Sequence, residues 1–240
     1  MERLVQKCIV FDIWGNYGHF RKPYSTNSSL TYFFPTKPTI IGILAAIVGL
    51  QKNSYYDLID RIKVSLIIRN SEKIRKNIFT INYENTKKTY FEHSPVNVEL
   101  LLNPRFTILL YISEESYRND ERLKNFYTSL MNNLKEHKSV YTVSLGSAFC
   151  IANFKFQDEV EIRPTKGQNI VINSIVPKTT EIRIKIVKDN HLIIENMPYV
   201  LNNERKPTRF MDFYADIKGN GPMLKEASYY IVGNENVIFF

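Results

Sequence analysis

The sequence predicts an α+β protein, and three observations carry that prediction. Across residues 1–164 the apolar pattern runs strand, helix, strand, strand, helix, strand; a polar insert at about 70–103 interrupts it; and residues 165–240 are rich in strand-like runs. With 240 residues, 44% of them hydrophobic and 23% charged, the chain is large and apolar enough to bury a core.

The elements follow in order. Leu4 to Trp14 (LVQKCIVFDIW) mixes β-branched and aromatic residues as a mostly buried first strand does. A loop rich in turn formers, GNYGHFRKPYSTNSSLTYFFPTK, then leads to a helix. Thr36 and Thr39 are candidate caps, Pro38 suits a first turn, and IIGILAAIVGL is apolar on nearly every face, so this helix needs cover on several sides. IKVSLIIR reads as the second strand. The insert carries two short β-like runs, NIFTINY and KTYFEH, expected to form a hairpin projecting from the core. RFTILLYIS is the third strand, and Asp120 to Lys138 places Leu123, Phe126, Tyr127, Leu130 and Leu134 at helical spacing. A strand over about Ala152 to Arg163 closes the split βαβ order, which is the ferredoxin-like arrangement. In the strand-rich part, EIRIKIV turning through KDN into HLIIE is expected as one hairpin and YYIVGNENVIFF as another. No flexible linker marks the boundary at 164/165.

Several classes fall away. The longest apolar stretch, Ile40 to Leu50, is short of the roughly 20 residues of a membrane-crossing helix, and no cleavable leader opens the chain, so a cytoplasmic protein without membrane contact is expected. Cys8 and Cys150 cannot make a four-ligand zinc cluster and are expected as buried thiols. No metal-ligand spacing joins His19, His93, His137 and His191, and no phosphate-cradling glycine loop ends in Lys-Ser or Lys-Thr. No cofactor is expected and no residue is assigned to catalysis.

The net charge of +8 suits a polyanionic partner, and its distribution says more. Between Asp12 and Asp57 lie forty-four residues without a carboxylate, while Arg21, Lys22, Lys37 and Lys52 are present. Phosphates repel carboxylates and favour Arg, Lys, hydroxyls and backbone amides, and unpaired bases stack on aromatic rings. Arg21, Lys22, Tyr24, Tyr32, Phe34, Thr36 and Lys37 are therefore candidate RNA contacts, although the aromatics alternatively anchor the loop to the core. In the insert, Arg75, Lys76, Lys87 and Lys88 form a basic arm that equally suits a guarded edge hairpin. Arg205 and Arg209 make a second phosphate-contacting group, and Ser147, next to Gly146, lies where a backbone can approach a ligand.

The succession FDIWGNYGHFRKPYSTNSSLTYFFPTKPTIIGILAAIVGL resembles the amino-terminal signature of CRISPR-associated protein family five. YTVSLGSAFCIANF resembles that family's later Leu-Gly segment, and LNNERKPTRFMDFY its carboxyl-terminal Arg-Pro region, in family order over nearly the whole chain. The resemblance implies a RAMP-type ferredoxin-like domain with an inserted thumb hairpin and a strand-rich second part. It implies a non-catalytic subunit of the Cascade complex in antiviral defence. Such a subunit grips the 5′ handle of the CRISPR RNA, touches the backbone and large subunits, and meets target DNA only indirectly. General texture suggests a type I-B or related system. Two alternatives stay open. One branch of the family, from type I-C systems, cuts precursor RNA without metal through a Tyr, Lys and His set; here no adjacent Lys-His pair follows the insert, and His19 and His93 are the histidines to test. The other alternative is a structural adaptor that does not touch RNA.

Overall fold

The computed structural model describes residues 6–25, 28–58, 60–70, 72–84, 93–188, 190–202 and 204–240. The amino-terminal part comprises β1 (Lys7–Trp14), β2 (Tyr17–Gly18), β3 (Ser28–Ser29), α1 (Lys37–Val48), a 3-10 turn at Tyr56–Leu58, β4 (Lys63–Ile68), β5 (Arg75–Glu84), β6 (His93–Leu102) and β7 (Arg105–Tyr111). It continues through α2 (Glu114–Asn119) and α3 (Glu121–Lys135) into β8 (Asn153–Val171). Then come β9 (Val176–Pro177), β10 (Ile184–Lys185), β11 (Leu192–Leu201), β12 (Pro207–Asp216), β13 (Met223–Val232) and β14 (Glu235–Val237).

The central sheet runs β8-β1-β7-β4, antiparallel throughout, which is the ferredoxin-like order that the strand and helix succession predicts. Both faces of β1 are buried. Ile9, Phe11 and Ile13 meet α1 and α3 on one side, while Cys8 and Val10 pack with Tyr111, Val232 and Val237 on the other. That explains a first strand that is apolar rather than alternating. Helix α1 starts on Thr36, whose Oγ1 accepts from the Thr39 amide at 3.3 Å, and ends on Gly49 at φ +90°. It needs cover on several sides and finds it under β1, α3 and β11. Cys8 and Cys150 are free and buried.

The expected division at 164/165 falls inside the single strand β8, which pairs with β1 over its first half and with β13 over its second. Met197, Tyr199, Phe213 and Phe240 join the main core, so the two parts share it. The first strand of the β5–β6 hairpin holds the expected run NIFTINY, whereas residues 88–92 of the second expected run, KTYFEH, lie outside the described residues and β6 occupies His93–Leu102 instead. The hairpin is rooted rather than simply projecting, for β6 also pairs with β2 and β3, and its Val98, Leu100 and Leu101 are buried in the main core. The hairpin expected over 181–195 is corrected. Ile184 and Lys185 pair with β13, whereas β11 pairs with β12, and Ile186 is exposed. The hairpin at the carboxyl end forms as expected, with Tyr230 opposite Val237.

Candidate nucleic-acid interface

The loop after β1 is fixed before it reaches the surface. Leu145 accepts from the His19 amide at 2.9 Å and the Ser147 amide donates to the His19 carbonyl at 3.2 Å. Gly146 crosses between them at φ +92°, where a Cβ would lie 2.0 Å from the His19 carbonyl oxygen, so only glycine fits. The buried His19 ring donates from Nδ1 to the Glu99 carbonyl at 2.8 Å and accepts at Nε2 from the Ser29 hydroxyl at 2.9 Å. Burial pushes the imidazole pKa down, and the nearby Arg21 charge adds to this against the Glu99 carbonyl, so the ring is a neutral structural tie.

Above this crossing lies a cleft of about 470 Å³. Its walls come from stretches far apart in sequence. His19 to Pro23 and the start of α1, from Thr36 to Ala46, form one side; Thr142 to Ser147 form another; and Arg205 and Pro207, with Pro198 and Leu201, form the third. Arg21 and Arg205 are its cations, both exposed and without an ion-pair partner among the described residues. Thr36, Thr39, Thr142, Ser144 and Ser147 supply hydroxyls. No described residue lining the cleft is a carboxylate. Such a lining attracts an anion and offers donors to sugar and phosphate oxygens.

The other predicted contacts lie elsewhere, and several are corrected. Tyr32 and Phe34 are fully buried and belong to the core, so neither ring presents a face to a base. Lys22 is tied to Glu195 at 2.7 Å, with side chains 15% and 8% exposed, and lies over the Tyr32 ring. Burial opposes its charge, but the Glu195 carboxylate outweighs that and the net pKa shift is upward. Lys37 is buried, donating to the Tyr199 hydroxyl at 3.2 Å, and burial, opposed by Asp60, pushes its pKa down to about 8. Lys76 donates to the Thr31 carbonyl at 2.6 Å and meets Glu99 at 3.3 Å with its Nζ over the Phe33 ring. These three lysines hold elements together and are spent as phosphate contacts.

Tyr24 is exposed, and Arg75 is exposed on β5 without an ion-pair partner among the described residues. Arg209 is separated from Arg205: it lies over the Tyr199 ring at 4.6 Å, with Asp60 at 3.6 Å. Lys87 and Lys88 lie outside the described residues, as does the side chain of His93. Sequence reasoning missed Tyr55 and Tyr56, which line the cleft from the turn after α1. Their only signal was a pair of adjacent tyrosines at the end of the carboxylate-free stretch.

No group of three His, Cys, Asp or Glu among the described residues is placed to hold a metal ion. No helix among them is long and apolar enough to cross a membrane.

A family model described as CRISPR-associated protein (Cas_Cas5) matches residues 8–209. No protein of curated function matches the sequence. Among solved structures, a chain of a CRISPR RNA-guided surveillance complex is 9% identical, with a TM-score of 0.49 over 95% of this chain and 92% of that one. A structure described as a Cas protein is 13% identical, with a TM-score of 0.47 over 92% and 94%. The functionally uncharacterized protein SMU1763c from Streptococcus mutans is 12% identical, with a TM-score of 0.41 over the same shares. At such identities and TM-scores nothing rests on these likenesses.

Proposed function

The chain belongs to the CRISPR-associated protein family Cas_Cas5, and from that premise we propose that it is a non-catalytic RNA-binding subunit of a type I CRISPR interference complex that holds the 5′ handle of the CRISPR RNA. The observation that carries this reading is the cleft: the three segments that resemble the family converge on it, and it combines two arginines that have no ion-pair partner among the described residues with five aliphatic hydroxyls and no described carboxylate. Arg21 and Arg205 take phosphates, Thr36 and Ser147 take sugar or phosphate oxygens, and Tyr24 and Arg75 lie exposed outside the cleft to meet the continuing strand. Lys87 and Lys88 belong to the same proposal by sequence alone. Backbone and large subunits are the protein partners, and target DNA is met only through them. His19 does not suit a proton-transfer role, because both its ring nitrogens are engaged in the fold.

The test mixes the full-length chain, alone and with the other complex subunits, with end-labelled repeat RNA in excess chelator across a salt series. Retention of intact RNA is expected. Arg21→Ala and Arg205→Ala should each weaken binding and flatten the log–log salt slope by roughly 0.7 per lost phosphate contact, while Lys22→Ala leaves the slope unchanged. A discrete chelator-resistant cut would make this an endoribonuclease, and neither retention nor cutting with partners present would make it an adaptor.

A further inference from the structure

Tyr32 and Phe34 are buried, and of the aromatic residues that line the cleft, Phe20, Tyr55 and Tyr56, Tyr55 is the one that is not. Tyr55 is half-buried and lines the cleft from the segment after α1. Its ring is held from two sides. Tyr56 lies against it with centroids 5.1 Å apart at 44°, and its hydroxyl lies over the bare helix surface at Gly42, where an added Cβ would come to 3.5 Å. Between these contacts Tyr55 keeps part of its side chain exposed in the lining of the cleft. Around it the lining changes character: Ile43, Ala46 and Leu201 give an apolar wall, while Arg205 puts its charge close enough to be felt at the Tyr55 hydroxyl. A bare phosphate would gain nothing from that wall. A nucleotide has a flat apolar base beside an anionic group and uses both.

We propose that Tyr55 is the platform on which one unpaired base of the bound RNA stacks, with Arg205 on the adjoining phosphate. This rests on the RNA-binding reading above and adds a residue and a single-nucleotide register to it. Because a π-face is common to all bases, the platform fixes position along the strand rather than base identity.

The experiment uses the full-length chain and synthetic repeat RNA carrying the fluorescent base 2-aminopurine, walked one position at a time through the handle. Quenching is expected at one position with wild type and with Tyr55→Phe, which keeps the ring, and lost with Tyr55→Ala. The same Tyr55→Ala change should weaken binding roughly tenfold. An abasic nucleotide at that position should weaken wild type equally and Tyr55→Ala no further. Retention of RNA through Arg21 and Arg205 with no position quenched in a Tyr55-dependent way would overturn the platform and leave the RNA-binding reading standing. Failure of wild type to retain RNA would overturn both. Thermal unfolding of Tyr55→Ala within a few degrees of wild type separates lost stacking from lost fold.

Discussion

Replacing Lys37 by methionine should stabilise the protein at neutral pH and lose that advantage at high pH. Lys37 is 3% exposed at the first position of α1, where the helix dipole disfavours a cation, and its pKa is lowered chiefly by burial, opposed by Asp60 and assisted by Arg209 and Lys63. A fall in pKa from 10.5 to about 8 means that holding the charged form in the folded state costs about 3 kcal/mol below pH 8. The unfolded chain keeps its proton up to about pH 10.5, so between those values it binds more protons than the folded one and stability rises with pH. This contribution is fully present above about 10.5 and lost as pH falls through about 8. Lys37→Met removes the cost but also loses the hydrogen bond to Tyr199, about 1 kcal/mol, and the contact with its ring, about another 1 kcal/mol. The net at pH 7 is a gain of about 1 kcal/mol, or roughly 2–4 °C in Tm for a chain of this size. Near pH 10 most of the cost has gone and, with Lys37 neutral, so has its charge contact with the ring, so only the lost hydrogen bond remains and the advantage of the variant should shrink to about zero. Urea unfolding of both proteins at pH 7 and pH 10 reads the difference, in which other titrating groups cancel. Parallel pH profiles, or a variant less stable at both values, would refute the argument.

Other outcomes follow from the same geometry. Glu195→Gln leaves the Lys22 charge without its partner and should cost about 2 kcal/mol in urea unfolding, while Lys22→Met with Glu195→Leu recovers most of it; additive losses would show that the two do not act as a pair. Gly146→Ala drives a methyl into the His19 carbonyl at a positive φ and should cost more than about 3 kcal/mol together with RNA retention; a near-normal Tm would disprove the close crossing. His19, neutral and with a lowered pKa, contributes stability above its ordinary value of 6.5 that is lost as pH falls, so His19→Asn should show a flatter acid limb than wild type in thermal melts from pH 7 to 5.

The parts of the fold that rest on local pattern were legible. The caps of α1, its apolar surround and the buried first strand follow from residues within a few positions of one another, and the sheet order follows from the succession of strands and helices. Strand β6 was misplaced because Pro95 weakens its strand signal and its pairing with the loop strands β2 and β3 is remote. The alternation of Ile182, Ile184 and Ile186 promised one buried face, yet Ile182 and Ile184 pack and Ile186 stays exposed. Charge was the least legible property. The carboxylate-free stretch is real, but Glu99 and Glu195 reach into it from β6 and β11 and neutralise two lysines that sequence alone leaves free. Among the described residues no carboxylate does the same for Arg21 and Arg205.

Glu99 has a bearing on how this protein can be re-engineered. Its carboxylate accepts from the Thr31 amide at 3.0 Å and its carbonyl from His19, so both arms of the loop hang from one residue of β6. Loop and strand are thus a single transplantable module. A chimera that borrows the loop of a relative while keeping its own β6 would inherit the cleft's residues without their suspension points, whereas one that exchanges the loop together with residues 93–102 carries the whole mount with it.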